Sequence, residues 1–190
     1  LWNVNVHSTG DRRMSKIFVN EIAPTGNSKL TMPNDLILPA GHVVQTEFVH
    51  STTRTAISSS SYSATALQKA ITPKFQNSLI YIMVSSGFNT EASGRRIDVT
   101  IQRGTTVEGL SAINLHEDQG LSGSSDRMTT FKHHGNRNEG SFVLNYVDSP
   151  NTVGSVTYHV LAREEGDGQT IEIPSSNTQV QCMVLQEIAQ

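Results

Sequence analysis

Ser78-Leu79-Ile80-Tyr81-Ile82-Met83-Val84-Ser85 is the stretch that decides the fold. It is short, rich in β-branched residues and apolar at both parities, so it reads as a central strand covered on both sides. Gly87 to Gly94 follow and read as a turn region. Arg96-Ile97-Asp98-Val99-Thr100-Ile101-Gln102-Arg103 then alternates strictly, with Ile97, Val99 and Ile101 inward and the charged and polar partners outward.

Upstream, His42 to His50 is the first good strand: Val44, Thr46 and Phe48 alternate with Gln45, Glu47 and Val49. Ser51 to Ser63 is a low-complexity Ser/Thr tract that reads as an extended loop or an edge strand. Leu67 and Ala70-Ile71 belong to the next element, closed by Thr72-Pro73. Downstream, Glu108 to Gly140 is long loop, broken by short strands near Ala112 to Leu115 and Met128 to Phe131. Ser141 to Val147 resumes a strand pattern and stops at Asp148-Ser149-Pro150-Asn151. Gly154 to Arg163 is another strand, and Glu164-Glu165-Gly166-Asp167-Gly168 reads as its hairpin turn, with Thr170 to Ile173 pairing back. Gln179 to Ile188 is the last strand. About eight or nine strands at this spacing predict an all-β fold, an antiparallel β-sandwich of jelly-roll type. An immunoglobulin-type sandwich fits less well, because there is no cysteine pair and the one tryptophan, Trp2, lies outside the sandwich.

The segment before the first good strand is thin in core material. Ile17 and Val19 share one strand face, and Phe18 and Ile22 the other; Leu30-Thr31-Met32 and Leu36-Ile37-Leu38 are short extended pieces ended by prolines. A lone strand has no partner for its backbone groups, so residues 1–41 read as an extended arm that pairs with another chain or attaches to a larger body. Ile17, Phe18, Val19, Ile22, Leu36, Ile37 and Leu38 are its candidate attachment residues, and 42–190 is the sandwich domain. Met14-Ser15-Lys16-Ile17 has the form of a natural start, which leaves two readings of Leu1 to Arg13: an upstream extension, or an anchor that belongs to the chain.

Of the 190 residues only 16% are charged and 36% hydrophobic, the balance being Ser, Thr, Asn, Gln and Gly, which suits a loop-rich β domain. No apolar run reaches the ~18 residues of a membrane helix. A net charge of −3 and a pI near 6.2 do not favour nucleic acid. The single cysteine, Cys182, excludes an intrachain disulfide and any cysteine-based zinc site, and its place in an apolar strand predicts a buried, inert thiol.

No pattern of catalytic type stands out. His133-His134 would point to opposite faces of a strand; with Asp126, His116, Glu117 and Asp118 a site can be drawn, but exposed loop histidines are the simpler reading. A metal on a threefold axis would need only one histidine per chain. There is no Gly-x-Ser-x-Gly elbow. Glu164-Glu165 and Asp167 could form a carboxylate pair for glycan cleavage, but a Gly-flanked hairpin would leave them solvated. Arg12-Arg13 and Arg95-Arg96 read as solvated strand or arm ends. No metal, cofactor or catalytic residue is therefore assigned, and the chain is expected not to be an enzyme. Tyr62, Phe88, Phe131 and His116 could stack on sugars, although local packing is the plainer role.

Several strings resemble small structural proteins of marine tailed bacteriophages: Tyr146 to Thr152, Gly154 to Val160, Met183 to Ala189, Ile71-Thr72-Pro73-Lys74, Val99 to Gly104, Met14 to Asn20 and Leu38 to Gln45. The resemblance implies a jelly-roll-like homotrimer on the virion surface, as capsid decoration or short fibre, bound to other virion proteins. Alternatives are a tail-fibre receptor-binding protein recognising host surface glycan and a glycan depolymerase. Loops at 87–95, 114–140 and 148–154 would be exposed, with Phe88, Asn89, His116, Phe131, His133, His134 and Asn136 as candidate receptor contacts. Neither nucleic acid nor membrane is expected as a partner.

Overall fold

A computed structural model describes residues 40–90, 96–104, 113–114, 128–132, 138–165 and 169–190. The elements in chain order are β1 (Val43–Ser51), β2 (Thr55–Ile57), β3 (Ser63–Ile71), β4 (Leu79–Thr90), β5 (Arg96–Gly104), β6 (Ile113–Asn114), β7 (Thr129–Lys132), β8 (Asn138–Asp148), β9 (Val156–Glu165), β10 (Ile171–Ile173) and β11 (Gln181–Ile188). The described residues contain no helix, and all the strand pairings are antiparallel. The fold is all-β, as the alternation predicts.

One sheet runs β1-β11-β4-β10-β2 with β8 also on β4; the other runs β3-β9-β5-β6 with β7 also on β5. β8 occupies one side of β4 along residues 80–90, so β11 (against 79–85) and β10 (against 89–90) both lie on its other side. β10 and β11 are thus one interrupted strand, and β1 and β2, their outer partners, are another. By the same argument β6 and β7 share the free side of β5. Each sheet is therefore four strand positions wide.

The sheets pack face to face around one core. Ile80, Ile82 and Val84 of β4 with Met183 and Leu185 of β11 meet Ile97, Val99 and Ile101 of β5 and Val156 and Val160 of β9, none more than 1% exposed. Each such side chain contributes about 1.5–3 kcal/mol through loss of apolar surface to water. Polar joints close one end of this core. In one row across the first sheet, Gln45, Glu187, Ile80 and Asp148 are cross-strand neighbours, and both carboxylates are buried. Glu187 accepts from the backbone N–H of Lys74 (2.8 Å) and Phe75 (3.1 Å), from Ser78 Oγ (2.7 Å) and from Gln45 Nε2 (2.6 Å), which pins the 72–78 connection between the sheets. Asp148 accepts from Arg103 Nη1 (2.7 and 2.9 Å) and from the Tyr158 hydroxyl (2.6 Å), bolting β8 to β5 and β9. A buried carboxylate left without donors is costly, so these bonds are conditions of burial more than sources of stability.

Several sequence expectations need correction. β4 does not stop at Ser85 but continues to Thr90, so Phe88 and Asn89 are strand residues. Phe88 is 5% exposed and packs in the core; Gly140, its partner on β8, leaves room for the ring, since a Cβ there would lie 2.5 Å from Phe88 Cζ. Thr170 to Ile173 does not pair back on β9: β10 joins the other sheet, between β4 and β2. Asp148 is a buried strand end and not an exposed loop residue. Glu164 is buried on β9, where its backbone N–H donates to Ser59 O, and is not solvated in a turn. Arg96 is no solvated end: with Arg163 and Thr130 it surrounds the fully buried Asp98. The Ser/Thr tract does supply an edge strand, β2.

Burial, then the charge and hydrogen bond of Asp148, push the Tyr158 hydroxyl far above its ordinary pKa of 10.0. In the unfolded chain Tyr158 ionises near pH 10, whereas the folded chain keeps its proton, so the stability is intact below that pH and falls above it. Urea unfolding between about pH 8 and 11 should lose up to about 1.4 kcal/mol per pH unit above pH 10 from this residue. Tyr158→Phe should be less stable at pH 8 but lose less on alkalinisation; a slope equal to wild type would contradict the account.

Candidate functional site

The even-numbered residues of β4 enter the core, so its odd-numbered residues look outward, and pairing extends that outward face over four strands. One row holds His50 of β1, Cys182 of β11, Ser85 of β4 and Val143 of β8. The next holds Phe48, Val184, Met83 and Asn145, and the third Thr46, Gln186, Tyr81 and Val147. Phe48 is 62% exposed, Met83 38%, Val143 61% and Val147 49%. Neighbours within a row stand about 5 Å apart, so Phe48, Val184 and Met83 form one continuous apolar strip.

No residue of these three rows is Asp, Glu, Lys or Arg. The outer face of a solvated antiparallel sheet normally carries polar and charged side chains. Within the face, the Tyr81 hydroxyl donates to Asn145 Oδ1 at 2.9 Å, which holds the ring along the sheet. The sequence marked β4 as covered on both faces; in the described residues only its inner face is covered.

Cys182 lies on this outward face and is half-exposed, while Gln181 and Met183 on either side are buried. The expected buried thiol is thereby corrected: β11 is apolar at both parities, and pairing sends Cys182 outward.

The candidate receptor contacts do not converge. Phe88 is in the core and Asn89 is half-buried, its Nδ2 donating to Glu172 Oε2 at 3.2 Å, where Arg54 also pairs with Glu172 at 2.9 Å. Phe131 is in β7, where the strand backbone alone is described. His116, His133, His134 and Asn136 lie outside the described residues, as do the arm residues Ile17, Phe18, Val19, Ile22, Leu36, Ile37 and Leu38. Tyr62 packs locally, with the Arg163 guanidinium 4.7 Å from its ring centroid. Among the described residues no cluster of three or more His, Cys, Asp or Glu could hold a metal ion. The outward-facing strip was missed from sequence, although Phe48 and Met83 at strand positions carried its signal.

No protein-family model and no curated protein matches the chain. A solved chain from the structure of infectious bursal disease virus Gx strain is similar over 78% of this chain and 38% of that chain, at 12% identity and a TM-score of 0.32. This chain thus spans well under half of that one.

The parity of the sheet predicts opposite outcomes at two phenylalanines. In dilute solution Phe48→Ser should change unfolding free energy by no more than about 0.5 kcal/mol, whereas Phe88→Ala should cost about 3–5 kcal/mol. Chemical denaturation of both variants checks this; a large loss at Phe48 and a small one at Phe88 would place the wrong parity in the core.

Proposed function

We propose that this chain is a non-enzymatic structural protein of a virus particle, a capsid-decorating or short fibre protein on the surface of a tailed phage, working as a homotrimer. The observation that carries the reading is the sheet face without Asp, Glu, Lys or Arg, centred on the apolar strip of Phe48, Val184 and Met83, which suits contact with another protein surface. The strand order supports it. Counted as eight positions along the chain, one sheet runs first, eighth, third, sixth and the other second, seventh, fourth, fifth. Two Greek keys rolled together would give this order, which supports reading the sandwich as a jelly roll, an architecture used by viral capsid and lectin domains. Fold alone does not assign a task. The phage-like strings within the described residues add support, because they fall on strands and joints: Asp148, Tyr158, Arg103 and Glu187 lie within them.

The arm, residues 1–41, is assigned to attachment or to pairing with neighbouring copies.

Quantitative mass spectrometry of purified particles tests the proposal. The chain should be present at a fixed copy number that is a multiple of three; a number following the capsid lattice marks decoration, and a few per particle mark a fibre. Absence from purified particles would overturn it.

A further inference from the structure

We infer that the outward face of β1, β11, β4 and β8 is the contact surface between copies of this chain, with Phe48, Val184 and Met83 at its centre. The inference rests on the assembly reading above and names its surface; it does not depend on the particle being viral.

Charge decides the occupant. The face has no Lys or Arg to meet nucleic acid or an anionic membrane, and no carboxylate to meet a basic partner. Among the described residues, charged groups border it at one end, with exposed Glu139 of β8 and Glu172 of β10 paired to Arg54, both in the row of Asn89. An apolar centre with polar and charged surroundings is the anatomy of a protein–protein contact. The chain carries a net charge of −3, so two copies repel wherever their charged surfaces meet. Around a threefold axis one part of the face meets another part on the next copy, and with no Asp, Glu, Lys or Arg in the three rows that contact brings no like charges together.

Size sets the strength. Three inter-strand spacings by four residues make the patch about 14 Å by 14 Å between Cβ positions. With side-chain girth the whole face, polar residues included, is about 400 Å², within the ~300–600 Å² of the largest patch on an ordinary monomer and about half of what each partner buries in a standard interface. The contact is therefore weak between two free copies, in the micromolar range, and gains from repetition around an axis.

Sedimentation velocity of the full chain from about 5 to about 500 µM spans that range. The wild type should self-associate as concentration rises. Phe48→Glu and Met83→Lys should each weaken association at least about tenfold with unchanged circular dichroism. Val153→Glu, at a valine 56% exposed between β8 and β9, should leave association unchanged. A wild type that stays monomeric throughout overturns the inference, and if it is still found at fixed copy number in particles, the virion reading survives. Association that both face variants leave intact also overturns the inference while leaving self-assembly through another surface standing.

Discussion

Leu79–Thr90 is hydrogen-bonded along one side to β8 and along the other to β11 and β10, so its register is transmitted to every strand of the larger sheet. Side chains alternate with a period of two, and a slip of β4 by one residue would exchange its two faces relative to its neighbours. In the observed register Ile80, Ile82, Val84 and Phe88 meet the second sheet, while Tyr81 and Met83 stay outside. The core and the candidate contact surface are consequences of the same pairing. Burial of the isoleucines and valines outweighs the alternative, which would bury Tyr81 and Ser85 and expose the more apolar set.

Apolar packing alone does not close the end of the sandwich where the chain passes between sheets. There Glu187 and Asp148 flank Ile80 in one row, each buried and each surrounded by donors. Glu187 collects the backbone of the 72–78 connection, and Asp148 collects Arg103 and Tyr158 from the opposite sheet. These carboxylates are geometric fixtures. Removing the donors would leave buried charge, and removing the carboxylates would leave buried N–H and O–H groups unsatisfied, so both halves hold the same geometry.

The bounds of the alternating strands are legible in the sequence to within a residue or two, Arg96 to Arg103 against Arg96–Gly104 for β5 and His42 to His50 against Val43–Ser51 for β1, whereas alternation does not show that Asp98 and Thr100 of β5 are fully buried too. Strictly local patterns carry that information. Three features were not legible because they depend on a partner distant in sequence. Ser86-Gly87-Phe88-Asn89 has turn-like composition, and only Gly140 across the ladder makes room for Phe88 to continue the strand. Glycines at 166 and 168 signal in the sequence that a strand ends, but not which sheet β10 joins. In β11 both parities are apolar, so periodicity cannot say that Cys182 and Val184 face out while Met183 and Leu185 face in. That ambiguity also concealed the candidate site: a two-sided apolar strand was read as covered twice, and the second cover is the one assigned here to another copy.

Cysteine labelling along β4 tests the central claim most directly. In a Cys182→Ser background, single cysteines replace Tyr81, Ile82, Met83, Val84 and Ser85 in turn, and modification by a thiol reagent is timed in dilute and in concentrated protein. The account predicts rapid labelling at 81, 83 and 85 in dilute solution, slowed on concentration, and slow labelling at 82 and 84 throughout. Uniform rates along the strand, or outward positions whose rates ignore concentration, would contradict it.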